Sequence, residues 1–280
     1  MDNSTNSTIH VPPNGEGALP FTPLLAPSAI FTAIFGILLF LHTFLACKFR
    51  RYYGYSIGML CGVLLEFLGY IAKLLLSNNR RDKNGYIMYI IGLTLGPTFL
   101  SSSLYLGISM LQRHYSQARV KHIGPRLFAT LFILGDFACL CFIGCGGSLA
   151  AIFADSPVGI DLMIAGLATQ VLCTAIFCLV LFVVYKKLQL RLRYDKMRWY
   201  MLGASLAAAC LFIRSCWRVA ELSDGFNGPL ASKEGIFIAL DSIPMVFMSI
   251  LLTVLHPQYW FGEVCRANKL VVEHNLVNRI

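Results

Sequence analysis

Charge is what this sequence lacks first. Only 13% of its 280 residues are Asp, Glu, Lys or Arg, while 57% are hydrophobic. A water-soluble domain carries nearer a quarter charged residues. The deficit excludes a soluble enzyme or a soluble nucleic-acid-binding domain. The net charge of +9 does not reverse this. The basic residues cluster in short segments between apolar runs, where they set the orientation of a membrane chain.

Further absences narrow the field. No Lys or Arg precedes Lys48, so the first apolar run, from about Leu24, lacks the basic lead of a cleavable signal peptide. No CxxC pair occurs among the ten cysteines, and none falls in an expected outer loop. They read as small buried hydrophobes, with Cys47 and Cys265 at the inner face as candidates for acylation. No GxxxxGK[ST] is present, which excludes a built-in ATPase. The last apolar run has no Lys for a retinal Schiff base. Only His42 and His256 lie near the spans, both towards inner ends, too few for a zinc hydrolase. The third run ends LQRHY rather than in a DRY-like triplet, a poor match to rhodopsin-like receptors. No nucleophile, base and oxyanion set can be read, and no metal cluster. The reading is of no enzyme, no cofactor and no metal.

What is present is seven apolar runs, at about 24–47, 55–76, 86–112, 126–153, 159–185, 199–221 and 235–256. Each is near the roughly 20 residues that span a bilayer as a helix. The fold class is therefore an all-α membrane protein of seven transmembrane helices. Residues 1–23 read as a disordered tail, 24–256 as the bundle and 257–280 as a second tail. The first, third and fifth loops and the C-terminal tail carry sixteen Lys or Arg, the opposite side four: Arg80, Arg81, Lys83 and Lys233. The positive-inside rule places the N-terminus outside and the C-terminus in the cytoplasm. The sequons Asn3-Ser4-Thr5 and Asn6-Ser7-Thr8 then face the glycosylating side.

The few charges inside the runs are costly there and must pair, snorkel or face a polar interior. The bases are Lys73, Arg214 and Arg218; the acids are Glu66, Asp136, Glu221 and Asp241, with Asp161 and Glu234 at outer edges. A rise of ~1.5 Å per residue puts Arg214 ~10 Å and Asp241 ~9 Å below the outer ends of their helices, a shared level. Arg214, Arg218 and Glu221 share one helix face, as do Glu66, Tyr70 and Lys73, and Glu234 and Asp241. A polar cavity opening outward between helices 2, 6 and 7 is one expectation, with Glu66 and Asp136 as its floor. A structural clasp of Arg214 on Asp241, with Lys73 and Arg218 snorkelling, is the other. Pro97 and Pro244 should kink their helices. Gly144, Gly146 and Gly147 suit close packing or a locally irregular backbone, and Gln170 can hydrogen-bond across the bundle.

Several motifs occur in order: E-x-x-G-Y at Glu66, Gly69 and Tyr70; GP…SSSLY ending at Tyr105; GD…GCGG from Asp136 to Gly147; AGLATQ ending at Gln170; and RSCWRVAE…G…E…D…P from Arg214, with His256-Pro257 closing. Together they resemble the fungal lipid-translocating exporters, the RTA-like seven-span proteins. Three positions depart from that pattern: Lys73 stands where Arg is usual, Ile143 where Gln is frequent, and Ile238 where an aromatic is frequent.

The resemblance implies a transporter or flippase of amphiphilic lipids, with sphingoid long-chain bases leading, in the plasma membrane and conferring resistance to amphiphilic toxins. The candidate substrate-binding residues are Glu66, Tyr70, Tyr105, Asp136, Gln170, Arg214, Arg218, Glu221 and Asp241. A carboxylate would pair the ammonium of the base while its tail lies in a helix groove. Two alternatives stay open: a carrier of porphyrins or other anionic amphiphiles using Arg214 and Arg218, and a seven-span receptor or stress sensor. The expected partners are a lipid substrate and the membrane, without nucleic acid.

Overall fold

The computed structural model describes residues 24–49, 52–78, 82–114, 124–152, 158–189, 195–223 and 234–261. The N-terminal tail, residues 1–23 with both sequons, the C-terminal residues 262–280 and most loop arginines and lysines lie outside the described residues.

Six helices come first: α1 Leu25–Lys48, α2 Tyr53–Asn78, α3 Lys83–His114, α4 Pro125–Ile152, α5 Val158–Gln189 and α6 Asp195–Ser223. A seventh span covers Glu234–Phe261. All seven are long and apolar enough to cross a membrane. Several overrun the apolar segments that the sequence marks. Hydropathy reports hydrocarbon depth, and a helix can continue into the polar interface.

Apolar side chains fill both the interior and the outer faces of the bundle. On α1 the buried positions are Ser28, Phe35, Leu38, His42 and Leu45, a stripe at helical spacing. Ile37 and Phe40 on the other face are 69% and 78% exposed. Similar exposed apolar residues stud every helix. In water they would form an aggregating patch, but against lipid tails they cost nothing.

Close approach between helices relies on glycine. A Cβ on Gly92 of α3 would lie 2.7 Å from the Gly69 Cα of α2. A Cβ on Gly146 of α4 would lie 2.7 Å from the Gly159 carbonyl of α5. By contrast Gly144 has open space around it. The glycine run in α4 is thus a close approach at Gly146, with ordinary contact to Met163 at Gly147, inside a continuous helix.

The seventh span is not uniform. It is α-helical over Glu234–Phe237, widens into a π-turn over Ile238–Ser242, and returns to α over Ile243–Val254. The Ile243 N–H bonds the Ile238 carbonyl, five residues back. Pro244 explains the widening. It has no N–H, and its ring crowds the carbonyl four residues earlier, so the turn before it opens.

At the far end of the bundle, polar contacts tie the seventh span to α1 and α2. The Tyr55 hydroxyl donates to the Leu252 carbonyl at 2.6 Å. His42 Nε2 and Thr253 Oγ1 hydrogen-bond at 2.8 Å.

Candidate functional site

Two buried polar groups lie on opposite sides of α3. The first gathers side chains from α2, α6 and the seventh span. Arg214 is at its centre and is 3% exposed. Its Nη1 lies 3.6 Å from Glu66 Oε1 and 3.3 Å from Asp241 Oδ2. Its Nη2 donates to the Leu93 carbonyl on α3. That carbonyl is available because Pro97, four residues on, has no N–H to give it. A proline in one helix thus creates the acceptor that positions an arginine of another.

Glu66 and Asp241 are both fully buried. Their ion contacts with Arg214 are longer than hydrogen bonds. Among the described residues no donor satisfies any of the four carboxylate oxygens. Gly96 makes room for Glu66: a Cβ there would fall 2.9 Å from Glu66 Cγ. Tyr70 stacks on Phe35, with ring centroids 5.4 Å apart, and its hydroxyl lies beside Glu66, Asp241 and Ser242.

A second rung lies two helical turns away. Lys73 Nζ is 3.0 Å from Glu234 Oε1 and sits over the Phe237 ring at 4.5 Å. The other oxygen of Glu234 accepts the Leu24 N–H at 2.7 Å, pinning the start of α1. Lys73 is 1% exposed, so it is buried and paired rather than snorkelling. At the rim, Arg218 Nη1 donates to Glu221 Oε2 at 2.8 Å, and both remain about one-fifth exposed.

The group holds four carboxylates, Glu66, Glu221, Glu234 and Asp241, against three bases, Lys73, Arg214 and Arg218. The rim pair and the Lys73–Glu234 pair each balance. The imbalance is therefore local: two buried carboxylates share one guanidinium.

Asp136 and Tyr105 belong to the second group, between α3 and α4. Asp136 Oδ2 accepts the Ser101 hydroxyl at 2.7 Å and the Tyr105 hydroxyl at 3.0 Å. Asp136 makes no ion pair with Arg214 among the described residues. Leu93 and Ser101 are eight residues apart on α3, a separation of ~12 Å. Gln170 on α5 is half-buried and joins neither group through its side chain among the described residues.

Sequence spacing put Lys73 and Glu234 on the charged faces of their helices but did not pair them with each other, and it missed Ser101 as the partner of Asp136. For the pair a signal existed. Glu66 and Lys73 are seven apart, as are Glu234 and Asp241. Two antiparallel helices carrying charges at equal spacing present matched rungs.

The family model described as "RTA1 like protein" matches residues 59–264. The sphingoid long-chain base transporter RSB1 of Saccharomyces cerevisiae is 28% identical, over 93% of this chain and 81% of the relative. Protein RTA1 of the same yeast is 24% identical over 85% of this chain and 84% of its own length. Protein RTM1, also from Saccharomyces cerevisiae, is 24% identical over 73% and 68%. One of these three is named a transporter and none an enzyme. No solved structure matches. The family match covers the helices that carry both polar groups, and the chain belongs to the RTA1-like family.

Proposed function

We propose that this protein carries amphiphilic lipids bearing one positive charge, sphingoid long-chain bases first among them, across the membrane in which it sits. The observation that supports this is the pair Glu66 and Asp241 sharing the single cation Arg214. A buried carboxylate without its own counter-charge is costly, and a lipid ammonium entering beside it would supply that charge. Charge-assisted hydrogen bonds are the stronger kind, and four carboxylate oxygens stand ready to accept them. The relative named as a sphingoid long-chain base transporter points to the same cargo.

An anionic cargo fits less well. Arg214 would have to leave Glu66, Asp241 and the Leu93 carbonyl together. On this reading the N-terminus faces outward, the protein works at the plasma membrane, and resistance to cationic amphiphilic toxins follows from their removal. Tyr70 lines the ammonium site, and Arg218 with Glu221 forms its rim.

The test is flux of a labelled sphingoid base in liposomes containing only this protein. Glu66→Gln and Asp241→Asn should each slow it, and the double substitution should abolish it. Undiminished flux in the double variant would overturn the assignment.

A further inference from the structure

Asp136 has no place in the ammonium site, yet it carries the same kind of problem. It is 2% exposed, in the middle of α4. The groups facing it are hydroxyls and thiols: Ser101 and Tyr105 from α3, Cys139 one turn on in α4, and Cys173 from α5. The Tyr105 ring closes the site against Phe177, with centroids 4.6 Å apart. Among the described residues no Lys, Arg or His forms an ion pair with it.

An ionised carboxylate in such a place is an isolated buried charge, which proteins avoid by pairing or by neutralising the group. Glu66 and Asp241 at least share Arg214. Asp136 has only two hydroxyls at hydrogen-bond distance, both on Oδ2, and the single Ser101 proton is shared between that oxygen and the Thr98 carbonyl at 2.8 Å. Oδ1 has no partner. A proton is the cation that fits. It needs one vacant oxygen, and the donors already on Oδ2 hold the carboxyl in the orientation that leaves Oδ1 vacant. A metal cation would need several more oxygen ligands than the four that this site offers.

We propose that Asp136 is a proton-binding site, separate from the ammonium site, with the proton carried on Oδ1. Loading forms one O–H bond with a proton from water, and unloading returns it; no other bond changes. Resting on the transport reading above, the site supplies a coupling ion. A proton moving one way against an ammonium moving the other leaves the net charge transfer at zero. The physical link is α3. It presents the Leu93 carbonyl to Arg214 on one side of Pro97 and Ser101 with Tyr105 to Asp136 on the other.

The experiment uses the full chain in lipid nanodiscs with no sphingoid base present. Infrared difference spectra between acidic and alkaline buffer should show the carbonyl stretch of a protonated carboxylic acid. That band should vanish in Asp136→Asn and persist in Glu66→Gln. In Tyr105→Phe it should shift to higher frequency, because the carboxyl loses a donor. If Asp136→Asn fails to fold, the Tyr105→Phe shift decides. A band unchanged in the tested variants overturns the proposal. So does a spectrum that responds to sodium in place of pH. In liposomes holding a pH-sensitive dye, adding a sphingoid base should drive counterflow of protons, lost in Asp136→Asn. The band lost in that variant while no lipid moves in the wild type would support the proton site and sink the transport reading.

Discussion

Arg214 donates to the carbonyl of Leu93, an oxygen that an uninterrupted α3 would have kept for itself. The acceptor exists because Pro97 cannot donate to it. This contact holds the guanidinium between Glu66 and Asp241 without consuming either carboxylate. A residue of α6, a proline-broken turn of α3 and two acids on other helices form one arrangement.

That arrangement predicts a coupling between Arg214 and Pro97. Arg214→Met should cost about 3–5 kcal/mol, the usual result of leaving buried charges without their partner. It also leaves the Leu93 carbonyl bare. Pro97→Ala restores an N–H four residues on, so it should help more in the Arg214→Met background than in the wild type. A coupling of about 0.5–3 kcal/mol is the range for residues sharing a partner. Thermal unfolding of the four proteins in one detergent measures it, and simple additivity would refute the account.

The Lys73–Glu234 rung predicts an asymmetry between single and double changes. Lys73→Met strands Glu234 and should destabilise by about 3–5 kcal/mol. Lys73→Met with Glu234→Gln removes both charges and should recover most of that loss, while Lys73→Arg should be close to neutral. Thermal unfolding again decides. A double variant no better than Lys73→Met would mean that the ion pair is not what holds Lys73 inside.

The two glycine environments give a paired test. Gly92→Ala puts a methyl 2.7 Å from the Gly69 Cα, and overpacking of this kind costs about 1–3 kcal/mol. Gly144→Ala meets nothing within 4 Å and should stabilise α4 by about 0.5–1 kcal/mol. Opposite signs in detergent melting curves are expected; equal effects would contradict the packing described.

Much of this was legible in the residues, and the rest was hidden for definite reasons. Seven spans follow from the apolar runs because hydrocarbon thickness dictates helix length. The shared level of Arg214 and Asp241 follows from counting residues, and their ion contact agrees with it. The second partner, Glu66, did not follow. Arg214 faces both Glu66 and Asp241, and only the rotation of three helices decides that. Counting put Asp136 near the level of Glu66, but its partners Ser101 and Tyr105 lie further along α3 than Gly96, which Glu66 packs against, and depth carries no azimuth. Lys73 near a helix end looked free to snorkel, because the chain start at Leu24 and the ring of Phe237 that enclose it are distant in sequence.

The ammonium site predicts selectivity by charge more than by shape. Acetylating the amine of a sphingoid base removes the positive charge and leaves the tail unchanged. Hydrogen bonds to charged groups contribute about 1.5–3 kcal/mol, so the acetylated lipid should bind at least about tenfold more weakly, since 1.4 kcal/mol is a factor of ten. In Glu66→Gln combined with Asp241→Asn the two lipids should bind alike. Competition against a labelled base on purified protein reads both numbers, and equal binding to the wild type would remove the carboxylates from substrate recognition.

The π-turn of the seventh span carries the last prediction. Asp241 lies within it and Glu234 just before it, so both rungs depend on its winding. Pro244→Ala removes the ring that crowds the preceding turn and supplies an N–H for the Leu240 carbonyl. The turn is then free to tighten to α, which rotates everything N-terminal of it by about 100° for each residue taken out of the wide turn. Glu234 would turn away from Lys73, and Asp241 from Arg214. The new α-helical hydrogen bond offsets part of the weakened ion pairing, so the variant should still fold. The distinguishing measurement is the Lys73–Glu234 coupling, taken by a double-mutant cycle in the Pro244→Ala background. It should collapse towards zero there while remaining strong in the wild type. A coupling preserved in that background would mean that Pro244 does not set the π-turn, and that the neighbouring helices do.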